Sequence, residues 1–383
     1  MTTLAVIGSG PGAMYTIKYI LKHPVLKVKR IDVLEKLRTP FGLVRFGVAP
    51  DHVEVKEVSK EFTQMINDHK DQIKLHTGSE VSGVMDFNVL CKLYDAVVVA
   101  TGAQSASRLP FKSLPRNTFS AQNFVLWYNG HPERQDLLLP EQARNVSIVG
   151  HGNVALDVAR ILSKSVQELD PLVQSGLLTR TAYDWLASRQ SLSGPKSVSI
   201  LGRRGYLHAA FTNKEFRELT NMADATCRVN EEELDFTLSE LKKKTSGDRA
   251  KSRGLFILQK CVDSYSDDLK SNSIRLRFFA QPLRYAGDPV SAIHIQNKFG
   301  GEEAIPTDLG IESIGFKVVN DFGLPIDAST GGIANDGHGR VEGLKNVYAA
   351  GWAKRGPRGV IAANIPCCVE TADAIVQDLL GQQ

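Results

Sequence analysis

The chain has 383 residues, 42% hydrophobic and 23% charged, with a formal net charge of +4. That balance suits two or three globular domains with real apolar cores, and the mild charge points to no nucleic acid. No apolar run is long enough to cross a bilayer, which excludes a transmembrane segment. In chain order, residues 4–8 (LAVIG) read as a buried strand ending at a glycine turn, residues 13–22 as a helix, and residues 29–35 (KRIDVLE) as a second strand. Residues 96–100 (AVVVA) form another apolar strand. The pattern then restarts: residues 145–150 (NVSIVG) form a strand, residues 155–164 a helix, residues 167–193 a helical stretch, and residues 197–202 (SVSILG) a strand. A charged, exposed stretch follows, with a helix expected over residues 231–244 and a loop up to residue 254. Residues 274–279 and 290–297 alternate as antiparallel strands do. Residues 346–350 (NVYAA) form one more buried strand before a glycine-rich loop and a last helix over residues 359–380.

Two βαβ beginnings predict an α/β protein with two Rossmann-like dinucleotide-binding domains, each a parallel sheet flanked by helices. The last strand and helix carry no glycine fingerprint, so they are expected to return and complete the first domain. That domain is therefore discontinuous, residues 1–105 with 316–383, and the second covers residues 106–315.

Each beginning carries a G-x-G-x-x-A turn. In the first, Gly8 permits the tight turn, Gly10 lets the backbone approach a pyrophosphate, and Ala13 lets helix and strand pack closely, with Gly12 between them. The helix N-terminus offers unpaired N–H groups and a partial positive charge to phosphate. Glu35 ends the next strand, where a carboxylate accepts two ribose hydroxyls and repels a 2′-phosphate. This site is read as one for FAD or NAD. In the second turn, Gly150, Gly152, Asn153 and Val154 repeat the pattern, but Arg203 and Arg204 stand at the following strand end. Two guanidiniums there can grip a 2′-phosphate, which selects NADP(H), provided the long insertion before them is looped out. A flavin site with an NADPH site implies hydride transfer, for which no catalytic acid, base or nucleophile is strictly required.

The five cysteines include no C-x-x-C pair and read as buried thiols in a reducing compartment. No metal site is expected. No signal peptide or arginine-rich presequence precedes the first strand, which leaves a cytosolic protein or one whose presequence lies outside this sequence.

Four further stretches, residues 41–52 (FGLVRFGVAPDH), 150–161 (GHGNVALDVARI), 202–219 (GRRGYLHAAFTNKEFREL) and 351–364 (GWAKRGPRGVIAAN), together with GSGPGA, resemble the adrenodoxin reductase family of ferredoxin–NADP⁺ reductases over nearly the whole chain. The resemblance implies FAD contacts at Gly12, Glu35, Leu43, Ser79, Trp352, Gly359, Val360 and Ile361. It implies NADP contacts at Gly152, Asn153, Val154, Arg203, Arg204, Glu215 and Gly359. Trp352 suits a cover for flavin; Gly359 is expected to open a helix toward flavin oxygens and leave room for nicotinamide. Glu215 either orients the arginines or binds the NADP ribose. His52 and Asp157 are the candidates for polar groups near the flavin, as tuners or proton routes, with a purely structural histidine as the other reading of His52.

The chain departs from its relatives at Ser79, Val53 and Arg358, and is shorter than animal members. The resemblance further implies a monomeric flavoprotein oxidoreductase passing electrons to an acidic [2Fe–2S] ferredoxin or adrenodoxin. Lys242, Lys243, Lys244, Arg249, Lys251 and Arg253 offer either a docking patch for it or a solvated charged loop. The compartment implied is the mitochondrial matrix in a eukaryote and the cytoplasm in a bacterium. The other classes weighed are a disulfide or thioredoxin reductase, which needs a dithiol, a flavin monooxygenase, and a non-catalytic nucleotide sensor.

Overall fold

The computed structural model describes residues 2–265 and 272–381. The chain divides into two compact units: Met1–Val48, His52–Ser105 and Phe316–Gln383 form the first, and Ala49–Asp51 with Ala106–Gly315 form the second. Among the described residues no helix is long and apolar enough to cross a membrane.

The first unit is built on five parallel strands in the order Val347–Ala349, Ala96–Val99, Thr2–Ile7, Val28–Glu35, Ile73–Thr77. Side chains alternate across the pleat, so the central strand serves two cores. Leu4 and Val6 pack with Met14 and Ile17 of helix Pro11–Leu21 and with Ile375 of the last helix. Ala5 and Ile7 face the opposite core with Phe87, Phe322 and Ile333. The C-terminal strand does return to this sheet, pairing Tyr348 with Val98. Its helix is Asn364–Gly381 and begins later than expected: Gly359 lies in the loop before it at φ +77°, and residues 361–363 form one tight turn.

The second unit has six parallel strands in the order Thr118–Ser120, Leu309–Glu312, Asn145–Val149, Ser197–Leu201, Ser273–Arg277, Thr226–Arg228. Ile148 and Ile200 meet Leu156 and Ala159 of helix Asn153–Ser163. Val149 and Leu201 face the other way, onto Ile293 and Ile295 of a three-stranded antiparallel sheet, Gln281–Ala286, Ala292–Gln296 and Glu302–Pro306.

The segment over residues 274–279 was expected to be antiparallel, but Ser273–Arg277 is an inner parallel strand. Its alternation arises because Ile274 and Leu276 enter the core while the opposite face carries arginines. Arg277 there is gripped by Glu303 at 2.7 and 2.8 Å and by Glu233 at 2.7 Å, so paired charge imitates a solvent face.

The helix expected over residues 231–244 runs instead from Leu238 to Thr245, because Thr237 and Glu240 form a capping box. In place of the loop expected after it stands helix Arg249–Asp263, capped by Asp248, which accepts from the amides of Ala250 and Lys251. Gly254 is needed inside that helix, since a Cβ would lie 2.3 Å from the Tyr206 hydroxyl.

Candidate dinucleotide sites

In the first unit the loop after Thr2–Ile7 lies where the strand order reverses, with the next strand in sequence on one side and Ala96–Val99 on the other, the position at which open α/β sheets bind ligands. Gly8 has φ +95°, and a Cβ would sit 2.7 Å from the Ala100 carbonyl oxygen. Nothing lies within 4 Å of the Cβ position of Gly10, which caps helix Pro11–Leu21 without a side-chain hydrogen bond. The first-turn amides thus point from an uncapped helix end, as a pyrophosphate requires.

Glu35 is buried at the end of its strand. Its Oε2 accepts the Ser9 amide at 3.0 Å and the Ser9 hydroxyl at 2.5 Å, and its Oε1 accepts the Leu37 amide at 2.9 Å. A carboxylate has about four lone-pair sites. Room remains for about one ribose hydroxyl, not the two expected.

Ser9 is a residue the motif hides at a variable position. Its hydroxyl oxygen also accepts the amide of Phe41 at 2.9 Å, a buried residue held at φ +81°. A bulky side chain in the left-handed region is strained, and such strain collects at ligand sites. This link seats the turn that leads to Leu43, the first residue of the short helix Leu43–Phe46. Ser79 donates its amide to the Glu35 carbonyl at 2.9 Å, so its main chain lies against the same strand end.

The loop after Val347–Ala349 closes on this turn. A Cβ on Gly351 would lie 2.9 Å from the Gly12 Cα, and one on Gly12 would lie 3.2 Å from the Gly351 Cα. The two cysteines in the first turns of the last helix reinforce the approach: the Cys368 thiol donates to the Gly12 carbonyl at 3.4 Å and that of Cys367 to the Gly351 carbonyl at 4.0 Å. Burial pushes the Cys368 thiol up to about 12, so it is protonated and no nucleophile at neutral pH.

Trp352 follows Gly351 and lies 5.8 Å from the Phe316 ring. Its indole Nε1 is buried without a hydrogen-bond partner among the described residues, and the same is true of Arg355 Nε. Arg355 also donates to Asn364 Oδ1 at 2.9 Å, beside the exposed Gly359 and Val360 and the half-buried Ile361. An uncapped helix start, a carboxylate with spare acceptor capacity and a buried unpaired donor fit FAD. His52 is buried one residue before the short helix Val53–Lys56.

The second unit repeats the loop with other chemistry. Gly150 has φ +126°, a Cβ there would lie 2.1 Å from the Ser313 carbonyl oxygen, and Gly152 caps helix Asn153–Ser163 without a side-chain bond. The ring of His151 packs against Gly202, where a Cβ would meet it at 2.1 Å, and edge-on to Phe278 at 4.9 Å. Burial lowers the His151 pKa to about 4, so the ring is neutral.

Asn153 Oδ1 accepts the Thr212 amide at 2.8 Å, and the Thr212 hydroxyl donates to Glu215. Two expected NADP residues, 62 positions apart by their numbering, are therefore joined through Thr212. Glu215 is buried and bonded to Thr212; no ion pair joins it to Arg203 or Arg204 among the described residues, so orienting those arginines is not what its hydrogen bond does. Val154 is half-buried in the first turn of the helix. Arg203 and Arg204 follow strand Ser197–Leu201, are exposed, and have no carboxylate partner among the described residues. Two unpaired guanidiniums near a phosphate-type loop suit a phosphorylated ribose.

Asp157 lies on helix Asn153–Ser163, 2.9 Å from the guanidinium of Arg160. Arg160 is buried and also grips Asp51 through two bonds, 2.7 and 2.9 Å, with Glu218 at 3.4 Å. The surrounding carboxylates raise the Arg160 pKa against its burial. Asp51 and Arg160 lie inside the stretches 41–52 and 150–161, but nothing in either marks them as partners; only the spacing of Asp157 and Arg160 by three positions on a helix hints at a charge pair.

Known proteins carry the same arrangement. The profile of the pyridine nucleotide-disulphide oxidoreductase family matches residues 2–222. NADPH-ferredoxin reductase FprA of Mycobacterium tuberculosis is 34% identical over 98% of this chain and 84% of its own. Human mitochondrial NADPH:adrenodoxin oxidoreductase is 36% identical over 98% of this chain and 78% of its own. The solved structure of M. tuberculosis FprA in complex with NADPH superposes with a TM-score of 0.88 at 32% identity, covering 99% of this chain and 85% of that one. The chain thus belongs to the pyridine nucleotide-disulphide oxidoreductase family, in its branch of adrenodoxin reductase-type ferredoxin–NADP⁺ reductases.

Proposed function

We propose that this chain is an FAD-dependent reductase that takes electrons from NADPH and delivers them singly to an acidic [2Fe–2S] ferredoxin or adrenodoxin-type protein. When bound, FAD supplies a carrier that accepts two electrons as hydride and releases them one at a time. The chain's own residues bind, orient and shield. Glu35, with Ser9 holding it, orients an adenosine ribose; the uncapped turns at Gly10 and Gly152 seat pyrophosphates; Trp352 offers its indole N–H to the flavin; Arg203 and Arg204 hold the 2′-phosphate.

The observation that carries the reading is the contrast between the two strand ends, one closed by a buried carboxylate and the other by two unpaired arginines. The names of the M. tuberculosis and human relatives, a ferredoxin and an adrenodoxin reductase, support the acceptor class. The exposed residues Lys242, Lys243, Lys244 and Arg249 would steer an acidic partner, and the chain would act as a monomer. Its compartment would be the mitochondrial matrix in a eukaryotic host and the cytoplasm in a bacterial one. A disulfide reductase would need an ionisable dithiol, and the buried, protonated Cys368 argues against Cys367–Cys368 in that role.

The test is anaerobic mixing of the purified yellow protein with NADPH or NADH, followed by adrenodoxin-dependent cytochrome c reduction. Rapid bleaching by NADPH, slow bleaching by NADH and turnover only with adrenodoxin are expected. A colourless protein, or equal rates with both nucleotides, would overturn the reading.

A further inference from the structure

We infer that Asp235 accepts the exocyclic amine of the NADP(H) adenine, with Phe279 as a stacking platform for the base; this deepens the proposed function and rests on it. In the second unit the glycine turn and the two arginines meet phosphate, and none of them reads the base. A nucleotide held by its phosphates alone would be admitted with any base, so a reader of adenine belongs beside Arg203 and Arg204.

Gly205 directly follows the arginine pair. A Cβ there would lie 2.7 Å from Asp235 Oδ2 and 2.7 Å from Phe279 Cζ, so a carboxylate and an aromatic ring converge on the segment that carries the arginines. Backbone bonds hold the convergence in place. Phe279 donates its amide to the Arg204 carbonyl at 3.5 Å, and Ala280 donates to the Gly202 carbonyl at 2.9 Å. The Lys298 ammonium donates to the Glu232 carbonyl at 3.0 Å and to that of Leu234, which fixes the backbone just before Asp235. Phe279 is half-buried and has φ +51°, a left-handed conformation that a bulky residue adopts only under strain and that recurs at ligand clamps.

Asp235 Oδ1 is buried and has no hydrogen-bond partner among the described residues, and no ion pair joins Asp235 to a cation among them. A carboxylate only accepts, and a buried oxygen left unpaired is costly, so the group calls for a donor from outside the chain. On the free edge of adenine the ring nitrogen accepts and the amine donates. The guanidiniums also donate, so they cannot use that amine, whereas a carboxylate can. A ring such as Phe279 stacks on the face of any base, so it supplies affinity without choice, and Asp235 supplies the choice.

The experiment titrates the FAD-loaded, full-length protein by calorimetry with NADP⁺ and with its hypoxanthine analogue, in which a carbonyl oxygen replaces the amine. Wild type is expected to bind the analogue about 10–100-fold more weakly. Asp235→Asn, whose amide can donate to that oxygen, is expected to bring the two Kd values together, and Asp235→Ala to erase the difference. Phe279→Leu should weaken both nucleotides and keep their ratio. A wild-type ratio near one overturns the inference, and that measurement needs no variant to fold. So does a ratio in Asp235→Asn that stays at the wild-type value, which would mark a ribose contact or a packing role. Either result leaves the proposed function standing. If wild type binds NAD⁺ as tightly as NADP⁺, the proposed nucleotide fails and the inference falls with it.

Discussion

Gly12 and Gly351 approach so closely that a methyl group on Gly351 would clash with Gly12 and one on Gly12 would press on Gly351, which joins the phosphate turn of residues 8–13 to the loop after Val347–Ala349. Gly351 also has φ +64°, so Gly351→Ala combines a clash with backbone strain. Strain of this kind costs about 1–3 kcal/mol. Gly351→Ala is expected to lower the melting temperature and the ratio of flavin to protein absorbance, with Gly12→Ala milder because its contact is longer. Full flavin retention in both variants would show that the approach is incidental to cofactor binding.

The exposed arginines should set nucleotide choice. Hydrogen bonds to charged groups contribute about 1.5–3 kcal/mol each. Replacing both Arg203 and Arg204 with alanine should therefore cut kcat/KM for NADPH by about 10²–10⁴-fold and leave that for NADH near its original value. Steady-state assays with both nucleotides decide it: a double variant that still prefers NADPH places the 2′-phosphate elsewhere.

Arg160 neutralises Asp51, Asp157 and Glu218 from a buried position. Arg160→Met removes the buried cation shared by all three, leaving Lys164 at 3.4 Å from Asp51 and Lys214 at 3.9 Å from Glu218, and breaking a buried pair costs about 3–5 kcal/mol. Melting curves of both proteins at pH 7 check this; a melting temperature equal to that of wild type would show that the lysines hold the cluster without Arg160.

His151 and Cys368 predict opposite arms of the pH–stability curve. The histidine is depressed to about 4 by burial, so the unfolded chain takes up its proton first, and stability falls as pH drops from about 6.5 toward 4. The thiol is raised to about 12, so the unfolded chain loses its proton first, and stability falls as pH rises from about 9 toward 12. Each arm has a limiting slope of about 1.4 kcal/mol per pH unit. Urea titrations of the wild type against His151→Asn at acid pH, and against Cys368→Ser at alkaline pH, isolate the two contributions. A variant whose curve matches that of wild type removes that residue from the account. In the native state Cys368 should also resist thiol reagents at pH 8.

The glycine turns and the placement of Glu35 and of the arginine pair at their strand ends were legible because each expresses a local rule: a strand, a tight turn, a helix and a charge at the next strand end. What stayed hidden depends on partners distant in sequence. Ser9 occupies a position the fingerprint leaves free, and its task is visible only when Glu35 and Phe41 come to it. The parallel strand Ser273–Arg277 looked half-solvated because Glu233 and Glu303, on other segments, neutralise Arg277. The loop expected up to residue 254 is helical, and its glycine is required there by a neighbour far away in sequence: the Tyr206 hydroxyl that fills its missing side chain is 48 positions away by number.

The first sheet takes its edge strand from Val347–Ala349 and one of its covering helices from Asn364–Gly381. A ribosome releases those segments only after the whole of residues 106–315, so the amino-terminal strands leave the exit tunnel long before their lattice can be completed. The middle of the chain, by contrast, holds nearly all of its own sheet by residue 315. During synthesis the second unit should mature before the first, and a messenger cut short before the codon for Val347 should yield a product that keeps the arginine-tipped cradle but not the yellow colour.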